Sequence, residues 1–307
     1  MTNIVGPGAP YITPAMLIAA PTGISWSTIP TPRASPEQQL AEQLNICMRA
    51  TAAVDDYVST PLRATIDTET LFGPGDMRFQ IRPNGTCWLV LSRPPVVSVL
   101  SGQYSASASF PPAWTPLDAS KFKVYKPIMG LYGTSVPGTT DTGGQAVLMA
   151  PGVVSGSRGS VEVQVTYMNG WPHTQLMAAA NVGDTTIQID DVTGWLGACG
   201  TIRDSVGQEA AVVTAVSPTV TGSLSGPGTL TLAAPLANAH PVGTLFTTIP
   251  ESVVSAAILY AVSEALVRGA TAVSAPGGSG SSGGGSKSID QYTSEAELKI
   301  HRFRPTL

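Results

Sequence analysis

The sequence predicts a mixed α+β protein. It has a small helical bundle core with β-strand segments, an inserted small β-barrel or sandwich domain, and a flexible C-terminal arm. Three observations carry this reading. Two strong helical stripes lie some two hundred residues apart, near residues 35–60 and 250–268. The stretch between them has period-two patterning and frequent turn residues. A Gly/Ser-rich run at 276–288 then separates the second helix from a structured-looking tail.

Composition sets the outer bounds. At 307 residues and 31.6 kDa the chain has room for about two domains. Gly (32) and Pro (26) make up close to a fifth of it, and only 12% of residues are charged. This excludes a collagen, a coiled coil and a wholly disordered chain, and disfavours a helix-rich metabolic enzyme. The formal net charge is -4, so no excess of Lys and Arg provides a footprint for a nucleic-acid duplex. The first 32 residues carry no Asp, Glu, Lys or Arg, yet Pro7, Pro10, Pro14, Pro21 and Pro30 interrupt the run, which argues against a secretory signal. The uncharged stretch from Ala210 to Pro250 is broken by Pro218, Pro227 and Pro235 and does not read as a membrane span. Cys47, Cys87 and Cys199 are far apart, and the expectation is three buried free thiols in a reducing cytosol.

Residues 1–176 are expected to hold the N-terminal helices and β segments of the core. Thr13 can cap a short helix over 14–20, with Pro14 in its first position and Pro21 as its stop. Ser35-Pro36-Glu37-Gln38 is a capping box. It opens a helix with the apolar stripe Leu40, Leu44, Cys47, Thr51, Val54 and Val58, ended by Pro61. Such a helix is about 35 Å long and needs a partner.

Past Pro61 the period is two. Met77, Phe79 and Ile81 alternate with polar residues, Asn84-Gly85 is a hairpin turn, and 87–91 returns as the second strand. Strands follow at 96–100 and 161–167, with 126–159 read as a long loop that contributes little core. Residues 177–249 read as the inserted β domain, with strands at 185–189, 210–216, 229–232 and 244–246. A core helix over 250–272, apolar at Val254, Ile258, Ala261, Ala265 and Leu266, is expected to pack on the 35–60 helix.

The linker over 273–288 leads to the arm, 289–307. Its Gly/Ser-rich part, 276–288, reaches roughly 45 Å when stretched. The arm keeps Leu298, Ile300 and Phe303 beside the basic cluster Lys299, Arg302 and Arg304. Spaced apolar residues on a tether read as a segment that orders by docking elsewhere.

Sites of chemistry are sparse. The dinucleotide-like spelling Gly278-Ser279-Gly280-Ser281-Ser282-Gly283 follows no strand and opens no helix. His173, His240 and His301 are isolated in sequence and show no metal-ligand spacing. Asp55-Asp56 and Asp190-Asp191 are adjacent pairs and poor acid–base dyads, better read as caps and turn residues, with a calcium site at Asp190, Asp191 or Asp204 as the alternative. No catalytic, cofactor-binding or metal residue is assigned. Trp88, Trp171 and Trp195 read as core or turn anchors, and alternatively as a sugar platform.

The order of parts resembles the head-to-tail connector (adaptor) proteins of long-tailed bacteriophages. The matching segments are Tyr11-Ile12-Thr13-Pro14-Ala15-Met16-Leu17, the 39–58 helix, Thr65-Ile66-Asp67-Thr68-Glu69-Thr70, Tyr167-Met168-Asn169-Gly170-Trp171-Pro172 and the helix opening at Pro250-Glu251. The insert, with Ile187-Gln188-Ile189-Asp190-Asp191-Val192-Thr193-Gly194 and 235–243, looks like a β module of actinobacterial phage versions. The resemblance implies a structural protein without enzymatic activity or cofactor, made in the host cytoplasm and placed in the virion neck. It implies a homo-oligomeric ring, dodecameric in similar proteins, beneath the portal protein. The ring extends the channel through which genomic DNA passes, without sequence-specific binding and without a membrane, toward the stopper and tail. C-terminal segments of similar adaptors reach the portal. On that basis Leu298, Ile300 and Phe303 are expected as apolar anchors, and Lys299, Arg302 and Arg304 as partners of acidic groups. The competing reading is a virion surface adhesion or decoration protein that binds carbohydrate through Trp195 or Trp171 of the β insert.

Overall fold

The computed structural model describes residues 8–29, 31, 33–73, 79–81, 87–105, 112–125, 146–150, 161–204, 208–268 and 288–304. Four helices and fourteen strands follow in chain order among these residues. They are α1 (Pro14–Ala19), α2 (Pro36–Val58), β1 (Thr65–Gly73), β2 (Phe79–Ile81), β3 (Cys87–Leu91), β4 (Val96–Ser105), β5 (Thr115–Leu117), β6 (Lys123–Tyr125), β7 (Ala146–Ala150), β8 (Val161–Asn169), β9 (His173–Gln175), β10 (Thr186–Ile189), β11 (Cys199–Arg203), β12 (Gln208–Pro218), β13 (Gly228–Leu232), β14 (Leu245–Thr247), α3 (Glu251–Val267) and α4 (Ile289–Ile300). The fold is mixed α+β. It divides into two compact units, Met1–Thr60 with Pro172–Arg304, and a second built on Pro61–Trp171.

The helices belong to the first unit. Ser35 and Gln38 form the capping box at the start of α2, and Thr13 accepts from the Met16 amide at the start of α1. Helices α2 and α3 pack on one another, as their stripes require. Arg49 faces Glu264 at 3.8 Å and Arg268 pairs with Glu42, so the two helices run antiparallel.

The stripe of α2 is turned from its expected position. Leu40 and Leu44 are 57% and 46% exposed, while Gln43, Ile46 and Ala50 are buried with Cys47, Thr51, Val54 and Val58. Two causes are visible. Arg268, at the end of α3, reaches only to Glu42, so the first turn of the longer α2 runs past its partner. The Gln43 amide is drawn inward by its bond to the Trp26 carbonyl at 3.2 Å. Helix α3 is buried around most of its circumference, from Val253 through Ala265, as its Ala- and Val-rich sequence implies.

The C-terminal arm is not free. α4 carries its own capping box, Ser288 with Gln291, and packs on α3 with Ala296, Ile300 and Phe303 buried.

The six-stranded antiparallel sheet of the first unit has the order β10-β13-β12-β11-β14-β9 and curls into a half-barrel. Its end strands are tied by the bridge Leu176↔Ile189 and the Met177 amide to Gln188 carbonyl bond at 2.9 Å. Two of its strands, β9 and β11, have no counterpart in the sequence reading. β9 lies before residue 177, so the β module begins at His173. β11 contains Gly200, a weak strand former, and the structure shows why it is there. A Cβ at Gly200 would lie 2.7 Å from Trp195 and 2.8 Å from Phe246.

This sheet also groups with the helices rather than standing apart as residues 177–249. Arg203 pairs with Glu251 in the first turn of α3, and the Thr248 amide donates to the Pro172 carbonyl at 2.9 Å. The compact units therefore divide near residues 60 and 171, not at 176 and 249.

The second unit holds two four-stranded antiparallel sheets, ordered β1-β8-β4-β5 and β2-β3-β7-β6. Leu71, Val163, Val165 and Tyr167 of the first sheet and Leu89 and Leu91 of the second share one core with Val96 and Phe122. The expected pairing of 79–81 with 87–91 is present, Phe79 opposite Leu89 and Ile81 opposite Cys87. Its Asn84-Gly85 turn lies outside the described residues. The stretch 126–159 is not all loop: Ala146–Ala150 is a strand between β3 and β6. Its run Ala-Val-Leu-Met-Ala is too short and continuous to show a period.

Candidate functional site

A dense polar cluster lies where β1 meets β8. These strands pair antiparallel with Thr65 opposite Asn169 and Asp67 opposite Tyr167. Residues 67, 69 and 71 alternate onto one sheet face. Asp67 and Glu69 therefore project from the same face as the core residue Leu71, at the end of that core.

Donors converge on both carboxylates. Arg93 Nη1 lies 2.8 and 2.9 Å from the two oxygens of Asp67. Asn169 Nδ2 donates to Asp67 Oδ2 at 2.7 Å, and the Thr65 hydroxyl at 2.9 Å. Glu69 accepts from the Tyr167 hydroxyl, from the Ser92 hydroxyl at 2.6 Å and from the Ser92 amide at 3.1 Å. Burial, followed by the charge of Glu69, pushes the Tyr167 phenol well above its ordinary range, so it holds its proton and donates.

The adjoining corner is fixed by backbone. The Gly170 amide donates to Pro95 at 2.9 Å, the Trp171 amide to Leu62 at 2.9 Å, and the Ala64 amide to Trp171 at 2.8 Å. Gly170 has φ +84°, and a Cβ there would sit 2.4 Å from the Arg63 carbonyl oxygen.

The chemistry of this cluster is that of a clamp. Ser92 spends its hydroxyl and its amide on Glu69. Asp67 and Glu69 stand two residues apart and so do not show as an adjacent carboxylate pair. An Asp-x-Glu spacing on a strand would have found it, since i and i+2 share a face.

Asp190, Asp191, Asp204, Glu209, His173 and His240 of the first unit are also engaged. Asp190 accepts from the Thr174 hydroxyl and the Gln175 amide, the latter at 3.0 Å. Asp191 Oδ1 accepts from the Thr193 amide, the Thr193 hydroxyl and the Gly226 amide at 3.0, 2.6 and 3.0 Å. Both therefore act as caps of turns. His240 is buried between Asp204 (Nδ1, 2.9 Å) and Glu209 (Nε2, 3.1 Å). The two carboxylates lie on opposite ring nitrogens, so they do not converge on one point as ligands would. Burial pushes the Glu209 carboxyl up, but the bonds from Ala237, His240 and Asn238 outweigh it and hold the carboxyl below its ordinary range. His173 joins Thr247 (2.8 Å) to the Pro10 carbonyl (3.0 Å) and meets the edge of Tyr11. Tyr11 in turn bonds Thr51 and Asp55 of α2. Among the described residues no group of three or more His, Cys, Asp or Glu is placed to hold a metal ion.

The aromatic and cysteine expectations need correction. Trp195 is fully buried and stacks on Phe246, and Trp171 is buried too, so neither offers a face to a sugar. Trp88 lies on β3, and its side chain is outside the described residues. Cys47 is buried and its thiol is pushed up to about 12 by burial, whereas Cys199 is an exposed free thiol.

The arm residues separate into two groups. Ile300 and Phe303 are buried against their own chain and are not available as anchors in this state. Arg302 reaches the Ser252 hydroxyl at 3.0 Å and lies over the Phe303 ring, and Arg304 lies over Tyr57. Leu298, 77% exposed, and Lys299 remain on the surface. The reason is amphipathicity: Ala296, Ile300 and Phe303 fall on one side of the terminal segment, and α3 offers an apolar surface to receive them.

No helix of the described residues is long and apolar enough to cross a membrane. No family model, no curated protein and no solved structure matches the chain.

Proposed function

We propose that this protein is a structural head-to-tail adaptor of a tailed phage. In this reading it forms a ring under the portal, extends the DNA channel and joins the capsid to the stopper and tail. The helices α2, α3 and α4 serve as its bundle core. The supporting observation is the way the resembling segments come together. The 39–58 helix packs on the helix that opens at Pro250-Glu251, and Thr65–Thr70 pairs in register with Gln164–Asn169. Each pairing joins segments distant in sequence, the first within one compact unit and the second within the other.

Portal docking is assigned to the part of the arm that stays exposed, Leu298 and Lys299, with Arg302 and Arg304 at its rim. Ile300 and Phe303 serve it by holding the arm in place.

Imaging of intact particles, with the protein labelled at an exposed site such as Cys199, tests this reading. The expected image is a closed ring coaxial with the portal at a single vertex, twelve-fold if it follows similar adaptors. Label spread over the capsid shell, or absent from particles, removes the proposal.

A further inference from the structure

Helix α4 and the face of α3 that it covers need each other. A twelve-residue helix is marginal on its own in water, so α4 is ordered only when docked. Helix α3 is apolar almost all round, and without α4 its Tyr260 side would meet solvent. The contact is specific as well as apolar. Ala296, Ile300 and Phe303 are buried, Arg302 bonds Ser252, and Arg304 stacks on Tyr57 of α2. The capping box at Ser288 and Gln291 begins the helix from within, so its start depends on no residue before Ser288.

The covalent connection between these two obligate partners is long. From Arg268 to Ser288 the chain can span roughly 65 Å at full extension. Nothing in the docking contacts themselves distinguishes the chain's own α4 from that of a second copy.

We propose that α4 is exchanged between copies of this chain, each C-terminal segment seating on the α2–α3 surface of a neighbour. Exchange conserves every contact seen in the closed form, so it adds little enthalpic cost. What differs is local concentration. A tether of this kind holds its own helix at an effective concentration in the millimolar range. Dilute chains therefore close on themselves. Subunits already side by side present a neighbour's surface at comparable concentration, and exchange then competes. Around a closed ring, head-to-tail exchange, each arm passing to the next subunit in the same sense, would link every subunit to the next. This consequence rests on the ring proposed above; the exchange itself does not.

The test uses two full-length variants in a Cys199→Ser background, Ser252→Cys and Arg302→Cys, carrying different tags and co-expressed. A short bismaleimide cross-linker can join positions 252 and 302 only between chains in this mixture. The double variant Ser252→Cys/Arg302→Cys shows that the pair is reachable, and peptide mapping sets aside products of Cys47 and Cys87. Oligomeric mass is measured by light scattering before cross-linking, from dilute to millimolar protein. In the oligomeric fraction, up to about half of the Ser252→Cys chains are expected to link to an Arg302→Cys chain: half is the share that random placement gives around a ring in which every arm is exchanged, and arms that stay on their own subunit lower it in proportion. Inter-chain linkage in dimers or open chains supports exchange and removes the ring. A ring with no 252–302 linkage between chains, while the double variant links within itself, overturns exchange and leaves the ring. A protein that stays monomeric at every concentration also overturns exchange.

Discussion

Trp195 and Phe246 stack nearly parallel, ring centroids 3.9 Å apart and planes 16° from each other, directly against Gly200. The stack is the centre of the half-barrel core, with Ile202, Leu230 and Ile189 around it. The Trp195 Nε1 has no hydrogen-bond acceptor among the described residues. Trp195→Ala is expected to cost about 3–5 kcal/mol, as large buried aromatics do. Trp195→Phe should cost clearly less, because it keeps a ring and removes the unpaired N–H. Denaturant unfolding measures both. Equal losses for the two variants would show that the stack is not what holds this core.

Gly170 is expected to tolerate no side chain. Its φ of +84° and the 2.4 Å approach of a Cβ to the Arg63 carbonyl oxygen act together. Gly170→Ala should destabilise by about 2–4 kcal/mol, whereas at an unstrained position the same replacement stabilises by about 0.4–1 kcal/mol. Thermal unfolding reads the effect, and an unchanged midpoint removes the claim that this corner is closed.

Ile300→Ala should lower stability by about 2–5 kcal/mol in the isolated protein, with no phage component present. Leu298→Ala, at a residue 77% exposed, should change it by less than about 0.5 kcal/mol. A neutral Ile300→Ala would mean that the arm contributes nothing to the fold that carries it.

The pH dependence follows from Glu209. Its carboxyl is held below the ordinary range when folded, so the unfolded chain binds a proton at higher pH than the native one. Its contribution is fully present above the unfolded value, near 4.5, and is lost as pH falls through the lower folded value. The stability difference between the wild type and Glu209→Gln should therefore shrink on acidification through that window. A difference that stays constant with pH rules out this linkage.

The thiols should react unequally. Cys47, with its thiol pushed up to about 12, presents almost no thiolate at neutral pH and no surface for a reagent. Cys199 is exposed. Alkylation of the native protein followed by peptide mapping is expected to modify Cys199 and spare Cys47 until the chain is unfolded. Early labelling of Cys47 would place α2 in a looser packing than its burial implies.

Local patterns account for the elements that the sequence identified correctly. The capping box at Ser35 and the proline at 36 set where α2 begins, and the Ala/Val composition of α3 marked it as a buried helix. The pairing of those two helices was legible because a striped helix of that length must be covered. Strands with clear alternation, such as 161–167, were legible for the same reason: the period is written in adjacent residues. The clamp at Asp67, Glu69 and Tyr167 was half-legible, since an Asp-x-Glu spacing marks a shared face but not what lies across it.

The rest was decided by the tertiary fold. Gly200 looks like a strand breaker until the Trp195–Phe246 stack is seen to need its missing Cβ. Leu40 belongs to the stripe by spacing, but it lies beyond Glu42, where Arg268 pairs, and Gln43 rather than Leu44 turns inward through its bond to the Trp26 carbonyl. Ile300 and Phe303 read as anchors for another molecule because the sequence records that a surface is apolar, not what it touches. A hydrophobic side chain is satisfied by any apolar surface within reach. Only the three-dimensional arrangement shows which surface receives it, and here that surface is the apolar side of α3.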